Sequence, residues 1–246
     1  MNGFWKLTWV EMKVFTREPM GVIGSLGVPV LIFIVVGRSL GTGRPATTSA
    51  GQAPFNVPIL GALVIAIGAV ISLIAIMSIY REGGILKRLR ATPLSPVTIL
   101  SAHVLVKMVF TVISLELLVL AGRQFFPGAM DVNVASFTAA LLLSTMSILS
   151  LGFVIASVVP TARFAQPIGA AILYPMISVS GLFFPLEQLR LSLRIVAYTF
   201  PTTHAVALMQ GIWDGSGWGA HLGNVAALIL VFGVCTGLST KIFRWE

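Results

Sequence analysis

A single cysteine, eight acidic residues and three histidines are all that 246 residues offer toward redox, metal or acid–base chemistry. Cys235 alone excludes a disulfide within the chain. His103, His204 and His221 lie far apart in sequence, and no Cys/His cluster has metal-ligand spacing. No Gly-x-x-x-x-Gly-Lys-Ser/Thr loop occurs, and no glycine is followed by lysine. The chain therefore lacks the backbone cradle by which such loops hold nucleotide phosphates. No clustered acid, base or metal set marks a catalytic centre, so neither an enzyme nor a cofactor site is expected on this chain. Charge is scarce as well: 10% of residues, against about 25% in a soluble domain.

What replaces charge is apolar surface. Hydrophobic residues make up 57% of the chain and the mean hydropathy is +0.97. That balance points to lipid as the main solvent. The net charge of +8 forms no basic stripe on a soluble face, so a nucleic-acid partner is not expected. The charge fits loops facing anionic headgroups instead.

Six apolar runs approach the roughly 20 residues that a spanning helix needs. They cover about 20–37, 57–79, 99–121, 135–159, 164–184 and 222–242. The connectors divide lysine and arginine ten to five, with Lys107 inside a run. The positive-inside bias then predicts both termini in the cytoplasm, in a multi-pass protein of the plasma or inner membrane. The polar stretch 38–54 that follows the first run argues for a retained anchor over a cleaved signal. Residues 1–19 are too polar to span. Wound as a helix, Lys6, Lys13 and Arg17 share an arc beside Trp5 and Trp9, which suits a helix lying in the headgroup layer. An ordinary cytoplasmic cap is the plainer alternative.

Residues 185–221 separate the fifth and sixth runs and hold two short apolar pieces, near 186–198 and 203–213. Both are too short to span and are the right length for re-entrant or interfacial helices. Pro201 divides them, because the residue before proline avoids helical geometry. Pro167 and Pro175 interrupt the fifth run, which is tolerable only where neighbours satisfy the freed carbonyls.

The densest charge lies in a short connector, "REGGILKRLRATPLSP", residues 81–96. Wound as a helix, Ile85, Leu86 and Leu89 share one arc, and Lys87, Arg88 and Arg90 occupy the rest. Gly83 and Gly84 permit a sharp exit from the second run. Ser95 and Pro96 can open the third as cap and first position. Composition leaves two readings open here: a docking helix, or a basic loop that only fixes topology.

The order of residues in this connector resembles type-2 ABC transporter permeases, the six-helix membrane subunits of exporters. Glu82, Gly83, Leu86, Leu89, Pro93, Leu94 and Ser95 occupy the family's charged Glu-Gly entry, leucine-spaced basic helix and Pro-Leu-Ser exit. "FTREPMGVIGSLGVPVLIFIV" looks like its first span, with Arg17, Pro19 and Pro29 in place. "SGLFFPLEQL" and "YTFPTTHAVALMQGI" look like its outer region, with Ser180, Gly181, Phe184, Pro185, Glu187 and Pro201 in register. Arg190, Phe200 and Gln210 stand where the family commonly has proline, asparagine and arginine.

The resemblance implies an all-α fold forming one domain over residues 1–246, with six transmembrane helices, an interfacial helix at 1–19, a coupling helix within 81–96 and re-entrant outer helices in 185–221. It implies that Glu82, Gly83, Leu86, Arg88, Leu89 and Pro93 couple to a separate ABC ATPase subunit, which would hold ATP and Mg. It also implies a second permease half, identical or a sister chain. The expected cargo is an amphipathic drug-like molecule, a lipid or a glycan. Phe183, Phe184, Pro185 and Glu187 are candidates for an outer gate, with lipid-facing bulk as the alternative for the two phenylalanines. Glu116, the only acid inside a run, is a candidate for the pathway or for an ion pair with Arg123 seven residues on. Lys107 is expected to snorkel to the cytoplasmic surface. Gly68 and Ser72 form a small-xxx-small pair suited to helix packing. A gradient-driven secondary transporter is the competing function, although such proteins usually show repeated halves and more midplane charges.

Overall fold

A computed structural model describes residues 2–17, 19–40, 57–84, 96–125, 133–159, 161–182 and 186–242. Every regular element among them is helical. The polar N-terminal segment forms α1 (Asn2–Arg17). α2 (Pro19–Val22) runs through a π-helical turn at Ile23–Gly27 into α3 (Val28–Leu40). α4 (Val57–Glu82) and α5 (Pro96–Phe125) follow. α6 (Val134–Val158) and α7 (Ala162–Ser178) lead to a short 3-10 turn at Leu186–Gln188. α8 (Leu191–Thr199), α9 (Pro201–Trp213), α10 (Gly217–Ala220) and α11 (Leu222–Ile242) complete the chain.

Local chemistry sets the boundaries. Pro96 opens α5 and Pro201 opens α9, at first-turn positions where a missing N–H costs nothing. The Asn133 side chain accepts from Ser136 N at 3.1 Å and caps α6. α4 ends at a turn whose second glycine, Gly84, has φ +63°, in the left-handed region that glycine enters without a Cβ clash. α7 keeps both Pro167 and Pro175 inside it.

Among the described residues, four helices are long and apolar enough to cross a membrane, through windows Leu63–Tyr80, Ser101–Gly122, Val134–Val158 and Leu222–Ser239. They correspond to the second, third, fourth and sixth runs. The first run appears as a shorter apolar helix, Ile23–Val35, and the fifth as the 17-residue α7. α4 is the axis of the core. Ile59, Leu63, Ala66, Val70, Leu73, Ile74 and Met77 are all buried, as expected of a helix apolar all round. It packs against α3, α5, α6 and α7. α11 packs on α6 and α9 and leaves Leu222, Ile229, Leu230 and Val234 exposed, the surface lipid would cover.

The α4–α6 contact depends on one missing side chain. A Cβ on Gly152 would stand 2.7 Å from Val70 Cγ1, a stiff β-branched group in the core. Gly152→Ala is expected to destabilise the chain by about 1–3 kcal/mol through overpacking. Gly68 on α4 has open space around its Cβ position. Gly68→Ala should cost nothing and gain up to about 1 kcal/mol of helix propensity. Thermal unfolding of both variants in detergent checks this; equal midpoints would show that the crossing is looser than described.

Candidate functional site

Among the described residues, the buried acid, lysine and histidine side chains, Glu11, Lys107 and His103, gather at one end, where α1 lies across the base of the α4–α5 hairpin. Thr8, Glu11 and Phe15 recur at helical spacing on the face of α1 turned to the protein, and all three are buried. Phe15 packs on Phe110 of α5 with ring centroids 4.1 Å apart. On the other face Trp5 and Trp9 are exposed, and Lys13 Nζ stands 5.5 Å from the centre of the Trp9 ring. Lys6, Lys13 and Arg17, expected on an arc beside the two tryptophans, are exposed as well.

Glu11 is the centre of the cluster. Tyr80, in the last turns of α4, donates its hydroxyl to both Glu11 oxygens, at 3.0 and 3.2 Å. His103, in the second turn of α5, holds Nδ1 3.5 Å from Glu11 Oε2. Its ring meets Tyr80 edge-on, with centroids 5.3 Å apart. Lys107 follows one helical turn after His103, donates to the Ser72 hydroxyl of α4, and lies 4.3 Å from the centre of the Phe15 ring. Burial holds the Glu11 carboxyl above the usual carboxylate range; the Tyr80 hydrogen bond and the Lys107 charge offset part of that.

A small cleft adjoins the cluster. It is lined by Phe15, Ser25, Gly68, Ser72, Lys107 and Thr111, among others, and has room for about one water molecule. The π-helical turn at Ile23–Gly27 forms one wall. Such a turn frees a backbone carbonyl from the regular ladder. Here Ser114 Oγ donates to the Ser25 carbonyl at 3.0 Å, which fixes the turn to α5.

The arrangement corrects one expectation. Lys107 does not snorkel: it is buried against Ser72 and Phe15. A hydroxyl acceptor, an aromatic face and the charge of Glu11 together give the ammonium an internal site in place of water. Gly68 and Ser72, expected to serve helix packing, line the cleft beside this lysine.

The residues expected to couple and gate are placed only in part. Glu82 and Gly83 are exposed at the end of α4, just beyond Tyr80. Leu86, Arg88, Leu89 and Pro93 lie outside the described residues, as do Phe183, Phe184 and Pro185. Glu187 is exposed on its 3-10 turn. Glu116 stands on an exposed face of α5 with Ile113, Leu117 and Leu120, and the Arg123 side chain is outside the described residues. The pieces expected near 186–198 and 203–213 form α8 and α9, divided at Pro201. α9 is largely buried: Thr202 donates to the Met176 carbonyl of α7 at 3.0 Å, and Trp213 meets Phe137 of α6 with ring centroids 5.6 Å apart.

Sequence reading missed the cluster because its members are dispersed. Glu11, Tyr80 and His103 belong to three helices, and no local motif joins them. The available signal was the face of α1: an acid between a threonine and a phenylalanine, on the arc away from the tryptophans.

A search of curated proteins finds no match. A family model described as ABC-2 type transporter matches residues 2–213, from α1 through the end of α9. This span takes in the Glu11 cluster, the whole 81–96 connector and helices α8 and α9. The chain therefore belongs to the ABC-2 type transporter family and is a multi-pass membrane permease of an ABC transporter.

Proposed function

We propose that this chain is the membrane half of an ATP-driven exporter, moved by a separate ATPase that docks on the 81–96 connector. In this reading six helices span the plasma membrane, both termini are cytoplasmic, and α8 and α9 form a re-entrant cap on the outer side. ATP and Mg are held by the partner, and this chain performs no chemistry of its own. The cargo class that fits the apolar body is amphipathic: a lipid, a drug-like molecule or a glycan conjugate. The family match favours this over a gradient-driven transporter.

One observation carries the reading. Tyr80 stands just before the connector and His103 just after it, and both converge on one carboxylate of α1. A push on the connector then moves α4, α5 and α1 as one joint. Without such a clamp a loop with glycines at its entry would absorb the push locally. Glu116 supports a second permease half: a carboxylate on an exposed face of a membrane helix is costly against lipid and needs a protein or water-lined cover.

Tyr80→Phe tests the joint, because it removes the hydroxyl and keeps the ring. A hydrogen bond to a charged group contributes about 1.5–3 kcal/mol, whose low end is roughly tenfold in an equilibrium between two states of the joint. The complex of Tyr80→Phe with its ATPase should assemble normally in nanodiscs, while its ATP turnover departs about tenfold from that of the wild-type complex. Unchanged turnover at equal occupancy would reduce the cluster to a fold-stabilising contact.

A further inference from the structure

The opposite end of the molecule carries a second polar string, which the permease reading leaves unused. His204, in the first turns of α9, places Nε2 3.0 Å from the Tyr198 carbonyl near the end of α8. Its Nδ1 lies 2.9 Å from Asn224 Oδ1 on α11. The Asn224 amide nitrogen lies 3.1 Å from His221 Nδ1. His221 Nε2 lies 3.0 Å from Ser216 Oγ, which reaches the Gly211 carbonyl at 2.8 Å. The string therefore runs through four side chains and ends on a carbonyl acceptor at each side. Gly211 makes room for it, since a Cβ there would run into the His221 ring.

Proton supply decides how this string works. It has five links, and each needs one proton. A neutral histidine supplies one, so His204 and His221 give two. Asn224 shows oxygen to one neighbour and NH2 to the other, and supplies one proton whichever way the amide is turned. Ser216 supplies one. Four protons serve five links, so with both histidines neutral one link always faces lone pair to lone pair, whatever the tautomers. One added proton closes all five. A second would bring two donors face to face, because the string then has no acceptor left.

We propose that this string is a binding site for a single proton, shared by His204 and His221, and that the bound proton completes a latch tying α8 and α9 to α11. The proton comes from solvent onto an imidazole nitrogen; no other bond is made or broken. Ser216 is exposed, and His204, His221 and Asn224 are half-buried, so water reaches the string. Histidine is the residue type whose charge changes between about pH 5 and 8. Among the described residues, the charged groups nearby are few. α8 carries Arg194, its guanidinium 5.9 Å from the Tyr198 ring centre, with Arg190 at its start. Asp214 lies in the turn after α9, Glu187 on the 3-10 turn and Tyr174 near the end of α7. α6 has no charged residue, and α4, α7 and α11 carry theirs at the opposite end. Acidification therefore completes the latch, and alkaline medium opens one link.

Histidine ring 15N spectra of the full-length chain in nanodiscs, taken from pH 8 to pH 5, test this. His204→Gln and His221→Gln assign the signals. The expected result is uptake of one proton per chain, with the His204 and His221 nitrogens shifting together at one midpoint. Asn224→Leu should cut the string and let the two rings titrate separately, one proton each. Two protons at unrelated midpoints in the wild type, no uptake down to pH 5, or an unchanged titration in Asn224→Leu would overturn the proposal. If Asn224→Leu does not fold, the wild-type proton count decides alone.

Discussion

Glu11→Ala is expected to destabilise the chain by about 3 kcal/mol, since each buried polar partner left unsatisfied costs about 1–3 kcal/mol. Three losses combine in one substitution. The Tyr80 hydroxyl loses both its acceptors, His103 loses its only carboxylate contact among the described residues, and Lys107 loses the negative charge that acts on it. All three partners stay behind in an apolar body where water cannot readily replace what was removed. For a chain of this size about 3 kcal/mol corresponds to roughly 6–12 °C in the unfolding midpoint. Glu11→Gln separates shape from charge, because its amide oxygen still accepts from Tyr80. It should cost about 1 kcal/mol or less, since burial already works against the ionised form. The pH dependence has a definite sign. A folded carboxyl held above its ordinary 4.5 contributes stability that is full below that value and is lost as pH rises through the folded one. The margin of wild type over Glu11→Gln should therefore narrow on raising the pH. Thermal scans of both variants across pH provide the check, and equal midpoints for Glu11→Ala and wild type would remove the cluster from the account.

How legible all this was in the sequence differs by element, for physical reasons. The long apolar runs were readable because a helix in lipid must satisfy its backbone internally and needs length to cross. The boundaries at Pro96, Pro201 and Gly84 were readable because proline and glycine act through the backbone alone. The first and fifth runs read as longer than the helices they form. A π-helical turn at Ile23–Gly27 divides the first, which hydropathy does not register, and the fifth ends at Ser178 with Pro167 and Pro175 inside the helix. The connector offered an amphipathic order and a likeness to a family; the family is shown, while residues 85–95 lie outside the described residues. The Glu11 cluster was not, because pairing across three helices is a tertiary fact. Lys107 shows the limit best. Near the end of an apolar run, a lysine ordinarily reaches for the headgroups; only the folded neighbours Ser72 and Phe15 supply an internal alternative.

Leu89→Asp should abolish ATPase binding while leaving membrane insertion intact. The substitution keeps Arg81, Lys87, Arg88 and Arg90, so the positive-inside signal of the connector survives. On the amphipathic arc of Ile85, Leu86 and Leu89 it places a carboxylate where an apolar groove would receive leucine, in the manner of helix-in-groove recognition. An unpaired polar group buried there costs at least about 1–3 kcal/mol, and more if it stays charged. Each 1.4 kcal/mol is about tenfold in affinity, so the complex should lose its ATPase during purification. Arg88→Ala, on the solvated rim, should weaken binding less and in a salt-dependent way. The decisive measurement is affinity purification of the tagged wild-type chain and Leu89→Asp from membranes, with mass spectrometry of whatever is retained. The expected result is a phosphate-loop ATPase with the wild type and none with Leu89→Asp, at equal membrane levels of both. An equal yield of ATPase with both proteins, or none with either, would contradict the claim that this permease is driven through its 81–96 connector.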